Sequence, residues 1–175
     1  MQKSRDALLM ALLTLLTEHS FEQVTVRQIA QRADVGYATF FRHYPGKEAL
    51  LNDLAADQIK ELLALTLPIL FAEDSRAAST ALCRYVEEHR KLWSALLTGG
   101  AGGTMREEFV RQAQQIAAAS PSPDSWLPGD LKVVYAVGGT LDVLAWWLKQ
   151  SPALPIERVA EILDRLVIAP TLPTQ

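Results

Sequence analysis

Thr25-Val26-Arg27-Gln28-Ile29-Ala30-Gln31-Arg32-Ala33-Asp34-Val35-Gly36-Tyr37-Ala38-Thr39-Phe40-Phe41-Arg42-His43-Tyr44-Pro45-Gly46 reads as two short helices joined by a tight turn. Thr25 and Gln28 have the spacing of a capping box, in which the threonine hydroxyl takes an end amide and the glutamine reaches back. Val24 and Ile29 flank that start at the spacing of a hydrophobic staple. The first helix ends near Ala33, and Asp34-Val35-Gly36 forms the turn. The second runs from Tyr37 to about Tyr44, stopped by Pro45, which cannot extend a helix. Ile29, Ala30 and Ala33 give the first helix a small-residue face that lets the second approach. Val35 plugs the turn. Phe40 and Tyr44, four apart, anchor the second helix to a core. Tyr37, Ala38, Thr39, Arg42 and His43 are left facing outward, with Phe41 at their edge. Short side chains and donors of this kind suit base edges and phosphates. On spacing alone, a plain helical hairpin with a solvated polar face stays open.

Working outward, helical periodicity continues and strand-like alternation is missing. A helix is expected over residues 4–19, with Leu8, Leu12, Leu15 and Leu16 on one side. After Lys47 a long helix runs to about Leu67, ended or kinked at Pro68. Further helices are expected at about 75–88 and 89–97. Gly99-Gly100-Ala101-Gly102-Gly103 reads as a mobile connection or pocket lid. A second capping box, Thr104-Met105-Arg106-Glu107, opens a helix to about Ala119. Residues 120–129 carry three prolines and read as a loop. The last helices are expected at 131–150 and 156–168, with a frayed tail from Pro170.

The chain has 175 residues, 49% of them hydrophobic, which supplies a large core for one compact domain or two small ones. Mean hydropathy is only +0.07, so a soluble protein is expected, without membrane contact. No basic-then-apolar leader with a small-residue cleavage site is visible at the start, so a cytoplasmic address is expected. Net charge is −3, but it is unevenly spread. Between Gln23 and Lys47, Arg27, Arg32, Arg42 and Lys47 face Asp34 alone, whereas the chain after Lys60 is acidic. A small basic patch on an acidic body fits a DNA reader. Cys83 is alone, which excludes an intrachain disulfide. It sits in an apolar helical pattern and is expected to be buried.

Extended to Thr39-Phe40-Phe41-Arg42-His43-Tyr44-Pro45-Gly46-Lys47-Glu48-Ala49-Leu50, the quoted stretch resembles the signature of the tetracycline-repressor (TetR) family of transcriptional regulators. The resemblance covers about the first 55 residues. Its distinctive points are Thr25, Ile29-Ala30, Ala33, Val35, Thr39, Phe40-Phe41, Tyr44 and Lys47. It implies an all-α protein. Residues 1–46 would form a three-helix DNA-binding domain with a helix-turn-helix, residues 47–170 an effector-binding and dimerising body, and residues 171–175 a tail. By the same resemblance Tyr37, Ala38, Thr39, Phe41 and His43 meet DNA, with Arg42 among the reading residues. Thr25 and Lys47 meet phosphate, and Arg27 can reach a base. The chain departs from the family in three places. Asp34 stands where glycine is usual, Gly36 where a serine caps the reading helix, and Phe41 where a tyrosine is usual.

In the body, Trp93, Met105, Phe109, Tyr135 and Trp146 are candidates for an apolar effector pocket between helices. Trp126 and Trp147 add to the same supply. For each singly, plain core packing stays open. Val134, Gly138, Gly139, Val159, Ile162, Leu163 and Leu166 are candidates for a homodimer interface made by the last two helices, with an intrachain hairpin as the alternative. The mid-helix glycines cost about 1 kcal/mol each against alanine, which close packing would offset. Catalysis has no visible machinery. His19, His43 and His89 lack metal-ligand spacing, no serine sits in a nucleophile elbow, and the glycine run is not a dinucleotide fingerprint. Neither metal nor cofactor is expected. The expected partners are palindromic operator DNA, a small apolar effector and a second copy of the chain. An architectural DNA-binding protein without a ligand is the alternative.

Overall fold

A computed structural model describes residues 2–72, 74–98, 102–119 and 127–172. Among these the fold is all-α, as expected, without a strand. The order is α1 Gln2–Glu18, a 3-10 turn Phe21–Gln23, α2 Val26–Arg32, α3 Tyr37–His43, α4 Lys47–Phe71, α5 Ser75–Glu88, α6 Arg90–Thr98, α7 Gly102–Ala119, α8 Gly129–Leu148 and α9 Ile156–Leu163. A π-helical turn Asp164–Ile168 and a last helical turn Ala169–Thr171 close the described chain.

The head is built from α1, α2 and α3. Leu8, Leu12, Leu15 and Leu16 of α1 are buried, as are Val24, Ile29 and Phe40. The capping box at Thr25 forms: the Gln28 amide donates to Thr25 Oγ1 (3.3 Å), and the Thr25 amide donates to Gln28 Oε1 (2.8 Å). The turn is a Schellman motif. Val35 N–H donates to the Ala30 carbonyl (3.0 Å) and Asp34 N–H to that of Gln31 (3.2 Å). Asp34 takes the left-handed conformation this requires, φ 53°.

From the head, α4 runs into the body. It packs on α1 at its start and on α5 and α7 further along. Beyond it α5 lies on α9, α7 on α8, and α6 on α8, all around one continuous apolar core. Lys91 at the start of α6 donates to the Thr17 carbonyl, tying the end of α1 to the body.

Several boundaries differ from the expectation. α4 continues through Pro68 to Phe71. Pro68 cannot donate to the Ala64 carbonyl, but both residues are exposed, so water can serve that carbonyl. α7 begins at Gly102 rather than Thr104; first-turn amides need no intrahelical acceptor, so glycine is tolerated there. The last helix passes into a π turn, in which Ala169 N–H reaches the Asp164 carbonyl, before Pro170, which has no amide for a regular bond. The expected frayed tail is instead helical to Thr171, which is buried and donates to the Ile168 carbonyl (2.8 Å). Residues 99–101 and 120–126, Trp126 included, and 173–175 lie outside the described residues.

α8 is the one described helix long and apolar enough, by length and composition, to cross a membrane. It carries Lys132, Asp142, Gly138 and Gly139 and packs against α6, α7 and α9.

Candidate nucleic-acid interface

The reading helix is held by its inner side. Phe40 is fully buried and Tyr44, just after α3, is nearly so. Their rings lie 6.0 Å apart. With the inner side fixed, Ala38, Phe41 and Arg42 are exposed, as is Tyr37 at the first position of the helix, with Thr39 and His43 half-buried. Tyr37 and Phe41 are 58% and 46% exposed, a large apolar surface for so small a head. Gly36 caps α3 without a side-chain bond, as its substitution for serine implies.

Charge on this face is sparser than the sequence suggested. Arg32 is drawn back onto Glu18 (3.1 Å). Arg42 Nη2 donates to Thr39 Oγ1 (2.8 Å), along the helix. Lys47 Nζ donates to the carbonyls of Phe21 (2.9 Å), Val24 (2.9 Å) and Glu22 (3.4 Å), and lies 4.6 Å over the Phe21 ring. All three of its donors fasten the turn before α2 onto α4. The Thr25 hydroxyl likewise donates to Gln28 Oε1 (2.8 Å). Arg27 is exposed and stands out from α2. Of the residues expected at DNA, Arg27, Tyr37, Ala38, Phe41 and Arg42 are exposed and Thr39 and His43 half-buried, whereas Thr25 and Lys47 make bonds within the chain.

One group of residues was missed by the sequence reading. Arg5 of α1 makes a two-pronged contact with Asp53 of α4, Nε to Oδ2 at 2.8 Å and Nη2 to Oδ1 at 2.6 Å. Tyr44 Oη donates to Asp53 Oδ2 at 2.5 Å. The first helix, the end of the reading helix and the long connector thus meet on one carboxylate. Burial works against the charged form of Asp53, but the bonds from Arg5 and Tyr44 outweigh it and hold the carboxyl below its usual range. Burial, and then the bond to Asp53, push the Tyr44 phenol well up. No spacing rule joins residues 48 positions apart.

Three of the five body residues expected in a pocket share one buried cluster. Trp93, Met105 and Phe109 are packed in the core, while Tyr135 and Trp146 are half-exposed on α8. A cavity of about 290 Å³ between α4 and α7 touches only Met105 of the five, with Asn52, Asp53, Ala55, Ala56 and Glu108. The Trp93 indole Nε1 is buried without a hydrogen-bond partner.

The dimer candidates divide. Val134 and Leu166 are 41% and 58% exposed, and Ile162 is half-buried. Val159 and Leu163 are fully buried in the chain's own core, because α9 spends that face on α5. In this arrangement they face the chain's own core, while Val134 and Leu166 stand open. The two glycines lie against side chains of the same chain. A Cβ at Gly139 would meet Val167 Cγ2 at 2.9 Å, and one at Gly138 would meet the Arg106 guanidinium. Their smallness serves intrachain packing.

The model of the bacterial regulatory proteins of the tetR family matches residues 8–54, the whole of α2 and α3 with most of α1 and the start of α4. An HTH-type transcriptional repressor of Mycobacterium tuberculosis is 30% identical over 132 residues, 75% of this chain and 66% of that protein. An HTH-type transcriptional regulator of Bacillus subtilis is 24% identical over 166 residues, 90% of this chain and 43% of that protein. The chain thus spans less than half the length of the second relative and about two thirds of the first. Among solved structures, Thermus thermophilus FadR, a TetR-family transcriptional repressor in complex with lauroyl-CoA, is similar at a TM-score of 0.68 and 17% identity, over 98% of this chain and 96% of that one.

Proposed function

Because the chain belongs to the tetR family of bacterial regulatory proteins, transcriptional regulators with a DNA-binding helix-turn-helix, we propose that it is a repressor released from a palindromic operator by a small, largely apolar effector. The observation that carries this reading is the division of α3: Phe40 fully buried, Tyr37 and Phe41 about half-exposed beside the exposed Ala38 and Arg42. A helix anchored on one side and free on the other is the shape that enters a major groove.

One short helix offers few base contacts, so two copies are needed for affinity on a palindrome. The exposed Leu131, Val134, Tyr135 and Trp146 of α8, with Leu166 beyond α9, support a seam between copies, since a soluble monomer rarely leaves such a surface uncovered. The unpartnered Trp93 donor supports a ligand in the body: buried polar groups normally have a partner. A neighbour of this fold is in complex with lauroyl-CoA, which supports an effector with a long apolar chain. In this mechanism Arg27, Arg42 and His43 supply the charged and polar contacts. Asp53 passes any movement of α4 to α1 and to Tyr44 at the end of the reading helix.

The test is selection of duplexes from a random-sequence pool by the purified protein. An enriched palindrome is expected, with half-sites about one DNA turn apart, roughly 34–36 Å, and affinity falling steeply with salt. Failure to enrich any sequence would overturn the reading.

A further inference from the structure

The outward side of α3 is unusual in what it offers a base. Its hydrogen-bonding groups are partly used up, since Arg42 and Thr39 satisfy each other at 2.8 Å. What stands free beside them is apolar: the methyl of exposed Ala38 and the ring of Phe41. That ring is braced on two sides. Tyr37 meets it edge-on at 5.1 Å and 68°, and the buried Phe40 at 5.3 Å and 74°. A ring so held has little rotamer freedom left to lose on binding.

In the major groove three of the four bases present only donors and acceptors, and thymine alone adds a methyl group. A phenyl ring against a cytosine amino group or a guanine carbonyl strips water from a polar group and returns no bond, which is unfavourable. Against thymine it buries methyl on ring. We propose that Phe41, with Ala38, selects thymine in each half-site through its C5 methyl group. The inference rests on the DNA-binding reading above and states what that face reads.

The probe is the duplex enriched from the random pool, with each thymine of a half-site replaced in turn by deoxyuridine. This removes the methyl and leaves every hydrogen-bonding edge and the sugar-phosphate backbone unchanged. In the native protein, one or two positions should lose about four-fold in affinity, and about fifteen-fold when both half-sites are changed, the worth of one or two buried methyl groups. That loss should vanish in Phe41→Ala or shrink in Ala38→Gly, and persist in Phe41→Tyr, which keeps the ring. Cooperative melting followed by circular dichroism establishes that each variant is folded. An enriched site with no thymine sensitive to demethylation overturns the inference alone, and so does a sensitivity that survives in both Phe41→Ala and Ala38→Gly. A pool with no enriched sequence overturns the DNA-binding reading itself, and the inference with it.

Discussion

At Asp34 the backbone enters the left-handed region, φ 53°, where a side chain costs about 1 kcal/mol and glycine costs little. Asp34→Gly is expected to stabilise the chain by about 0.5–1 kcal/mol, read as a rise of about 1–4 °C in melting temperature. It also removes a negative charge beside the reading helix, so operator affinity should rise at low salt. This turn was legible in the sequence, as was the capping box, because both use residues that are close neighbours along the chain. Lys47 was not legible in the same way. Its acceptors are backbone carbonyls, which every residue has and none advertises. Lys47→Met should therefore destabilise by about 1–3 kcal/mol through the lost charge-assisted bonds, measured by urea denaturation. The slope of log affinity against log salt should stay unchanged. A slope smaller by about one would mean that Lys47 meets a phosphate after all.

Between elements, the carboxylate of Asp53 joins α1, the end of α3 and α4. Since its folded pKa is lowered, the stability it contributes is present above the unfolded value near pH ~4 and is lost as pH falls through the lower folded value. Asp53→Asn should cost about 1–3 kcal/mol at neutral pH and flatten that acid limb in denaturation curves taken from pH 7 downward. Tyr44→Phe should cost less, since Arg5 remains paired. The two glycines of α8 make a second contrast at this scale. Gly139→Ala drives a methyl onto Val167, a branched residue packed at 2% exposure, and should cost about 1–3 kcal/mol by overpacking. Gly138→Ala meets the end of a long arginine, which can swing away, so the gain in helix propensity of about 1 kcal/mol should leave it neutral or stabilising. Val167→Ala should rescue Gly139→Ala but not alter Gly138→Ala, as thermal melts of the four variants would read. Sequence alone says that such glycines permit closeness. It does not say to what; the neighbours are Val167 of the π turn for Gly139 and Arg106 of α7 for Gly138.

At the scale of the whole molecule, the apolar surface divides into what the chain covers itself and what it leaves open. The last helix looked uniformly available because its period gives a wide apolar stripe. The packing of α5 onto α9 claims Val159 and Leu163 and leaves Leu166 outside. Nothing local in the sequence distinguishes those positions; only the topology does. Leu166→Asp and Val134→Asp are therefore expected to give folded monomers with weakened operator binding, by sedimentation velocity at micromolar concentration. Val159→Asp should fail to fold instead. A native protein that sediments as a clean monomer would remove the two-copy mechanism. The charge balance follows the same logic: a net charge of −3 is compatible with the proposed contacts of Arg27, Arg42 and His43 to DNA, because the acidic residues lie mostly beyond the head.

Cys83, the single cysteine of the sequence, is fully buried in α5, and burial pushes its thiol up to about 12. In the native state that sulfur is silent toward alkylating and disulfide-forming reagents, which attack the thiolate, and it reacts only when the core opens. The rate of its modification is thus a built-in clock for global opening, and the unaltered chain is a blank background for site-directed labels. A spin label carried on a cysteine in place of Lys60, exposed on α4, would find no competing sulfur. Pulsed dipolar spectroscopy would then read whether two copies pair, and at what separation of their connectors, with and without DNA.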